Sequence, residues 1–234
     1  MSKEILRNER IGIFGGTFNP IHYGHLRAAE EVRERVGLEK VLFIPSCNPP
    51  LKGLDLANPE DRFEMTRLAI ENNPYFEVSD MECKRKGKSY TVDTISELKR
   101  FLPEKDLFLI LGIDSFLEIP KWYKPDELLG MTDFIVVSRP GFRFEELLPV
   151  LEMRKEDEGH SYLKELDAGT TDLKEVSLKT GRKVLLMNIT SLDISATTIR
   201  RLIRIDKSIK YLLPESVEYY IISNKLYSEG SEYL

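Results

Sequence analysis

Two of the three histidines in this 234-residue chain, His22 and His25, follow the glycine-rich segment G-G-T-F at positions 15–18. An apolar run over 11–14 predicts a strand before this segment, and a helical pattern over 26–36 follows the histidines. A glycine-rich connection from a strand to a helix brings backbone N–H groups and the positive end of a helix dipole to one place. Imidazole groups add further donors for phosphate oxygens. The residue types and their spacing therefore predict a site that binds phosphate groups.

Four other interpretations of this segment are weaker. It lacks the lysine and the spacing of a P-loop, and it does not match the G-x-G-x-x-G fingerprint. The two histidines could supply two zinc ligands, but the Cys and His sets that are typical of structural zinc sites are missing. They could also serve only to cap the helix, but H-x-G-H directly after G-G-T-F makes that interpretation weak.

A second candidate phosphate element is D-I-S-A-T-T-I-R at 193–200. Ser195 or Thr197 can cap a helix over 195–205, whose free N–H groups then face an anion, with Arg200 one turn further on. The alternative is an ordinary capped helix whose Arg200 faces solvent. The glycine and histidine segment elsewhere in the chain favours the first interpretation.

Strand and helix patterns alternate along most of the chain. Apolar runs predict strands over 11–14, 41–44, 76–78, 107–111, 134–137 and 184–187. Other patterns predict helices over 26–36, 91–102, 125–131 and 195–205, one from Pro59 to about 72, and a final one from Pro214 that carries Leu226. This alternation indicates an α/β fold with a mostly parallel sheet covered by helices on both faces. Residues 15–18 and 112–114 then lie at the edge where such sheets bind ligands.

We expect a single domain over 1–234. A polar segment at about 152–182, rich in residues that interrupt helices and strands, is interpreted as an excursion that has room for a short helix. His160 lies in this excursion and is interpreted as a solvated loop residue. A C-terminal helical region begins at about 195.

Composition limits the classes of partner. The net charge of −5, with acidic and basic residues interspersed, argues against broad nucleic-acid binding, and the basic run at 84–88 is interpreted as a solvated turn. No apolar run is long enough for a membrane span, and the first residues lack the apolar centre of a signal peptide, so we expect a cytoplasmic protein without a membrane partner. Cys47 and Cys83 lie far apart without a C-x-x-C pattern, so we expect neither a disulfide nor a cysteine-rich zinc site.

The motifs together resemble those of the H-x-G-H nucleotidyltransferases, and most closely the bacterial nicotinate-nucleotide adenylyltransferase family. The resemblance covers most of the chain in order: GGTFNPIHYGH at 15–25, NPPLK at 48–52, R-x-x-M at 62–65, SYTVDT at 89–94, LGIDSF at 111–116, Trp122, SRPG at 138–141 and DISATTIR at 193–200. The first and last motifs are shared by the wider superfamily, whereas those between them indicate the pyridine-nucleotide branch. Three positions depart from the family pattern: Asn19 replaces a frequent aspartate, Leu51 a histidine and Ala196 a serine.

The resemblance implies a doubly wound, Rossmann-like nucleotidyltransferase fold. It also implies adenylyl transfer from ATP to nicotinate mononucleotide, which gives nicotinate adenine dinucleotide and pyrophosphate, and a requirement for Mg²⁺ held mainly by phosphates and water. The alternative within the superfamily is another acceptor, nicotinamide mononucleotide or pantetheine phosphate. The alternative outside it is a nucleotide-sensing module without catalysis. The implied partners are these small molecules, and a homo-oligomer is left open.

The resemblance also implies three groups of site residues. His22, His25, Arg200 and Lys52 would stabilise charge on the reacting phosphates. The ATP site would comprise Gly15, Gly16, Thr17, Phe18, Gly24, Gly112, Asp114, Ile194, Ser195, Thr197 and Thr198. The nicotinate mononucleotide site would comprise Asn48, Tyr90, Thr91, Trp122 and Arg139; Trp122 could also be a simple core anchor, and Arg139 could contact a surface acid. Because the acceptor carries its own 5′-phosphate nucleophile, no general base is expected.

Overall fold

A seven-stranded sheet forms the centre of the protein. The computed structural model describes residues 9–50, 56–151 and 161–228. The strands are β1 Arg10–Gly16, β2 Lys40–Pro45, β3 Phe76–Val78, β4 Asp106–Gly112, β5 Asp133–Val137, β6 Leu173–Ser177 and β7 Lys183–Met187. Their spatial order is β3-β2-β1-β4-β5-β7-β6. Neighbouring strands are parallel, except that β6 runs antiparallel to β7.

The strand order reverses direction next to β1. The chain first builds outward from β1 through β2 to β3, and then continues with β4 on the other side of β1. Strand β2 pairs with residues 11–16 of β1, for example Ile44 with Gly15, and β4 pairs with residues 10–13, for example Leu109 with Ile13. In open parallel sheets, a crevice forms at such a switch point, outside the carboxyl ends of the strands. The topology therefore places the end of β1 at the entrance of the main crevice.

Ten α-helices connect these strands in the part of the chain that the structure describes. They are α1 Tyr23–Val36, α2 Pro59–Ile70, α3 Met81–Lys84, α4 Thr91–Phe101, α5 Ile113–Leu117, α6 Pro125–Met131, α7 Leu148–Leu151, α8 Ser161–Asp167, α9 Ala196–Arg204 and α10 Glu215–Ser223. Two short 3₁₀ turns lie at Ile119–Lys121 and Phe144–Leu147. Across the described residues, no helix has both the length and the apolar character that crossing a bilayer requires.

Two apolar cores cover the two faces of the sheet, which is doubly wound as predicted. Successive residues of the buried strands alternate between them: Leu109 and Leu111 join the core beneath α4 and α5, whereas Phe108 and Ile110 join the core beneath α1 and α10. This two-sided burial explains why the central strands are continuous apolar runs. The Rossmann-like α/β fold predicted from the sequence is confirmed.

The six predicted strands are present, with small differences in their bounds. Two predicted helices differ more. Helix α1 begins at Tyr23 rather than 26, because His22 itself is the N-cap. Leu226 is buried but lies beyond the end of α10 at Ser223, because Lys225 adopts a left-handed backbone with φ of 53° that ends the helix.

Strand β6 was not predicted and lies in the polar segment at 152–182. Only Val176 of its five residues is buried, because β6 is the edge strand of the sheet. An edge strand of polar residues gives no apolar run to detect. The short helix expected in this segment is present as α8, and its buried residues Tyr162, Leu163 and Leu166 join one core. His160 lies outside the described residues.

The expectation that the two cysteines do not pair is wrong. Cys47 and Cys83 form a disulfide, with their Cα atoms 5.0 Å apart. Cys47 follows β2, and Cys83 lies on α3, which follows β3. Because β2 and β3 are neighbours in the sheet, residues that are 36 positions apart in the sequence meet. Sequence spacing alone does not show this contact.

We predict that replacing both cysteines by serine lowers the free energy of unfolding of the oxidised protein by about 3–4 kcal/mol, because the cross-link restricts the unfolded chain. Denaturant unfolding with and without a thiol reductant measures this change. Reductant should shift the midpoint of the wild-type protein and leave that of the double variant unchanged. Equal midpoints for the oxidised wild type and the double variant would contradict the prediction.

Candidate active site

The glycine and histidine segment leaves β1 at the switch point and enters α1 directly. Gly16 lacks room for a side chain, because a Cβ atom there would lie 2.9 Å from the ring of Phe18. A Cβ atom at Gly15 would meet no atom within 4 Å, so that position leaves open space next to the backbone. The chain then passes through a cis peptide bond between Asn19 and Pro20.

The two histidines form a stacked pair at the start of α1. Their ring centroids are 3.8 Å apart and their planes differ by 27°. The His22 backbone N–H donates to Nδ1 of His25 at 3.3 Å. Since His25 Nδ1 accepts this hydrogen bond, a neutral His25 ring carries its proton on Nε2. Nδ1 of His22 is buried without a hydrogen-bond partner in the described part of the chain.

Both rings are held in their neutral form. Burial, together with a smaller effect of the positive charge of Arg139, lowers the pKa of His22 to about 3. Burial also lowers the pKa of His25 well below its usual value, with additional effects of His22 and Arg139. An anion bound in the same space raises the pKa of both imidazoles, because it favours their protonated form.

The glycine between the histidines allows close packing. A Cβ atom at Gly24 would lie 3.0 Å from Cε1 and Nδ1 of His22, so the ring would have to shift by a few tenths of an ångström. The same Cβ atom would lie 3.7 Å from the carbonyl oxygen of Ile194, which is an ordinary contact distance. Gly24 therefore lets the His22 ring pack more closely against α1 than a residue with a side chain would. This contact gives a steric reason for glycine in the H-x-G-H motif.

The second predicted phosphate element reaches the first through backbone contacts. Ser195 is the N-cap of α9, and its Oγ accepts a hydrogen bond from the Thr198 N–H at 3.1 Å. Arg200 donates through Nη1 to the carbonyl oxygen of Asn19 at 2.8 Å, which joins α9 to the segment before α1. The two segments that the sequence analysis paired are therefore neighbours.

One cavity of about 670 Å³ lies between these segments at the carboxyl edge of the sheet. Most of the predicted site residues line it, namely Gly15, Gly16, Thr17, Phe18, His22, Gly24, His25, Tyr90, Thr91, Gly112, Asp114, Trp122, Arg139 and Ile194. Five others lie outside its lining, namely Asn48, Ser195, Thr197, Thr198 and Arg200. Lys52 and the departing residue Leu51 lie outside the described residues.

Asn48 is occupied by contacts with the neighbouring turn. Its Nδ2 donates to the Gly87 carbonyl at 3.1 Å, and its backbone N–H donates to Oγ of Ser89 at 3.0 Å. The next two residues, Pro49 and Pro50, line the cavity instead. Asn48 thus holds this loop in place from outside the cavity.

Charged groups at the end of β4 and β5 form an ion pair in the cavity wall. Nε of Arg139 lies 3.1 Å from Oδ2 of Asp114, and both side chains are partly exposed. A Cβ atom at Gly112 would lie 2.5 Å from Oδ1 of Asp114 and 3.3 Å from Cδ of Arg139. Gly112 therefore permits the pair to lie against the backbone.

Three aromatic residues, Tyr90, Trp122 and Tyr123, also line the cavity. Trp122 follows the turn Ile119–Lys121 and packs partly buried against one core. The rings of Tyr90 and Tyr123 have centroids 4.4 Å apart. Tyr90 is also the N-cap of α4, so the start of that helix lies at the cavity. Tyr123 was not predicted; a second aromatic residue next to Trp122 is the signal that could have indicated it.

Arg62 supports the glycine-rich segment from beneath and was predicted only as part of a family motif. Its guanidinium is buried and donates to the carbonyls of Thr17 at 3.0 Å and Cys47 at 3.1 Å, and also to that of Ser46. Its Nε donates to the carbonyl of Ala57 at 3.0 Å. One side chain thereby satisfies the carbonyls of three loops. Burial lowers the pKa of Arg62 from its usual value.

Asn19, one of the three residues that differ from the family pattern, has a structural role. Its side chain is buried, and Oδ1 accepts hydrogen bonds from the Ala57 N–H at 3.0 Å and the Tyr227 hydroxyl at 2.8 Å. An aspartate would offer the same acceptor oxygen. The departure is therefore compatible with the same loop geometry.

Comparisons with known proteins agree with this fold and site. The family model described as cytidylyltransferase-like matches residues 13–202, so the chain is a nucleotidyltransferase of the cytidylyltransferase-like class. It is 43% identical over 222 residues to a probable nicotinate-nucleotide adenylyltransferase of Geotalea daltonii, with 94% of this chain and 99% of the relative covered. A protein of the same description from Desulfitobacterium hafniense is 44% identical over 220 residues, with 94% and 96% covered. The chain therefore belongs to the nicotinate-nucleotide adenylyltransferase family.

A solved structure shows the same fold at lower identity. The nicotinic acid mononucleotide adenylyltransferase of Plasmodium falciparum, complexed with NaAD, superposes with a TM-score of 0.70 at 21% identity. The match covers 94% of this chain and 97% of that one. At this identity the likeness concerns the arrangement of the backbone.

We predict that acid destabilises the protein partly through His22. The unfolded state binds a proton near pH 6.5, whereas the folded state does so only near pH 3. The contribution of His22 is therefore fully present above pH 6.5 and is lost as the pH falls from 6.5 toward 3. When the pH is lowered from 7 to 5, the free energy of unfolding should fall by about 2 kcal/mol less in His22→Asn than in the wild type.

Denaturant unfolding at both pH values measures this difference. The same substitution at His160, which the sequence indicates is solvated, is the matched control and should keep the pH dependence of the wild type. If the free energy of unfolding falls equally in the wild type and in His22→Asn, His22 is not buried in its neutral form.

Proposed function

We propose that this protein transfers the adenylyl group of ATP to nicotinate mononucleotide, with nicotinate adenine dinucleotide and pyrophosphate as products. The observation that carries the proposal is one cavity at the switch point, lined both by the stacked histidines and by Trp122 and the start of α4. The names of the relatives at 43% and 44% identity support the same reaction.

The proposed reaction is a direct displacement at phosphorus. An oxygen of the acceptor 5′-phosphate forms a bond to the α-phosphorus of ATP, while the bond from that phosphorus to the oxygen bridging to the β-phosphate breaks. Pyrophosphate leaves with the electron pair of the broken bond. Because the attacking phosphate is already ionised, the protein has only to align the two substrates and stabilise the charge on the leaving group.

His22 and His25 are proposed to act on the departing phosphates. Both are neutral in the free protein, so the cavity does not carry two buried imidazolium charges before substrate enters. His25 can donate through Nε2 in its neutral form, and the anion favours protonation of either ring as charge develops. Permanent positive charge is proposed to come from Arg139 in the cavity wall, and from Arg200 and Lys52.

A divalent metal is a general requirement of nucleotidyltransferases, and we propose Mg²⁺ here. No group of three or more His, Cys, Asp or Glu side chains in the described ranges could hold a metal ion. Mg²⁺ retains several water ligands and binds phosphate oxygens, so it needs few protein ligands. When bound, the ion would withdraw charge from the phosphates. Two carboxylates, those of Asp114 and Glu82, line the cavity.

The acceptor base is proposed to lie beside Trp122 and the start of α4. Trp122 offers a ring face for stacking on pyridine, and the first turn of α4 offers backbone N–H groups at Tyr90 and Thr91. Such donors, together with the helix dipole, bind a carboxylate more tightly than a neutral amide. The site therefore favours nicotinate over nicotinamide.

We predict that pyrophosphate release with ATP and Mg²⁺ is about 10 to 100 times more efficient with nicotinate mononucleotide than with nicotinamide mononucleotide, since a hydrogen bond to a charged group contributes about 1.5–3 kcal/mol. The test compares kcat/KM for these two acceptors and pantetheine phosphate, with ATP and with CTP. Faster turnover of another acceptor would assign the protein to a different branch, and no release with any acceptor would indicate a nucleotide-sensing module.

We predict that His25→Ala lowers kcat by about a hundred- to a thousandfold, which is the usual effect of losing one donor to transition-state charge. Val32→Ala is the matched control, because Val32 is buried on the same helix but outside the cavity lining. The control should keep kcat within about threefold while losing stability through the lost methyl groups. Near-normal turnover of folded His25→Ala would overturn the assignment of this residue.

A further inference from the structure

Glu31 is a buried carboxylate two turns into α1, outside the cavity lining. Both of its oxygens accept a hydrogen bond from one backbone N–H, that of Thr190, at 3.1 Å to Oε1 and 3.0 Å to Oε2. Oε1 also accepts from Nε of Arg27 at 2.6 Å. The contact with Thr190 joins residues 159 positions apart in the chain.

Thr190 belongs to the segment 188–195 that connects β7 to α9. Residues Ile189, Thr190, Ser191, Leu192 and Ile194 of this segment line the cavity, and the Ile194 carbonyl lies near Gly24, the residue before His25. The segment has no helix or strand of its own between Met187 and Ala196, so its backbone groups need partners elsewhere. The Ile189 N–H donates to Oγ of Ser138 at 3.0 Å, and the Thr190 N–H donates to Glu31.

Other contacts hold the two ends of this segment. Arg35 of α1 donates to the carbonyl of Asn188 at its start, and the Ile194 carbonyl lies close to Gly24 at its end. Glu31 holds the residue between these ends. The three contacts lie along one helix, so the segment is aligned with the same helix that carries His22 and His25.

The carboxylate is suited to this contact. Burial by itself raises the pKa of Glu31, but hydrogen bonds from Thr190 and Arg27 and the charge of Arg27 outweigh burial and leave the pKa below its usual value. Glu31 is therefore ionised at neutral pH, and a hydrogen bond to an ionised acceptor is stronger than one between neutral groups.

We infer that Glu31 is a positioning residue for the ATP half of the cavity, acting through Thr190 on the segment 188–195; this inference rests on the proposed function. The acceptor half of the cavity is built from α4 and the residues around Trp122, which belong to other elements. Loss of Glu31 should thus weaken ATP binding and leave acceptor binding unchanged.

The test compares Glu31→Ala, Glu31→Gln and the control Arg27→Ala. Glutamine retains an oxygen that can accept from Thr190, whereas alanine retains none. Arg27 is partly exposed and contacts Glu31 without touching Thr190 in the hydrogen bonds described. We expect Glu31→Ala to raise the KM for ATP about tenfold, Glu31→Gln about threefold or less, and Arg27→Ala less than twofold. The KM for nicotinate mononucleotide should stay within about twofold in all three.

Hydrogen exchange at the Thr190 amide gives a readout that does not depend on activity. The amide should be protected in the wild type, Glu31→Gln and Arg27→Ala, and should exchange at least about tenfold faster in Glu31→Ala. If Glu31→Ala does not fold, Glu31→Met, which fills the volume without a comparable acceptor, replaces it with the same expectations. If the wild type is inactive, the proposed function fails, and the exchange measurement still tests the contact.

Two results would overturn the inference. One is an unprotected Thr190 amide in the wild type. The other is a Glu31→Ala or Glu31→Met variant whose KM values for both substrates rise together, since a general loss of packing would act on the whole cavity. A selective rise in the KM for ATP, with recovery in Glu31→Gln, would support it.

Discussion

The close packing of the His22 ring against Gly24 is the contact on which the site depends. A methyl group at Gly24 would lie 3.0 Å from two atoms of that ring. Because the ring can lie there, it stacks on His25 at 3.8 Å, and both imidazoles share one desolvated space. That space keeps them neutral, so the protein does not hold two adjacent positive charges before an anion enters. The close packing at Gly24 thus contributes to the burial that lowers the pKa of both imidazoles.

Residues outside the cavity maintain this geometry. Arg62 donates to carbonyls of three loops, and Arg200 donates to the carbonyl of Asn19 across 181 positions of sequence. Glu31 of α1 holds Thr190 in the cavity-lining segment before α9. Each contact satisfies a backbone group of a loop that has no regular partner of its own, which is how irregular segments keep a fixed conformation. Loops thus form much of the cavity wall, and buried side chains hold these loops in place.

The strength of the local signal decided which parts of the fold could be predicted. The central strands β4 and β5 are buried on both faces and must be apolar throughout, so their sequence shows them. Strand β6 lies at the edge with only Val176 buried, and its polar residues resemble a loop. The pairing of Cys47 with Cys83 was missed for a different reason: it depends on which strands are neighbours, and spacing along the chain contains no such information.

For the site, the sequence established the chemical parts: a glycine-rich turn after a strand, two histidines at a helix entrance, and a capped helix near the other end of the chain. These are local patterns, because capping, turn geometry and helical period involve residues a few positions apart. The sequence did not show that Ser195 and Arg200 would stand behind the cavity wall while Ile194 lines it, or that Asn48 would turn to Gly87. Whether a side chain faces the cavity or supports the loop beside it depends on how distant segments pack together, and local sequence patterns do not specify that packing.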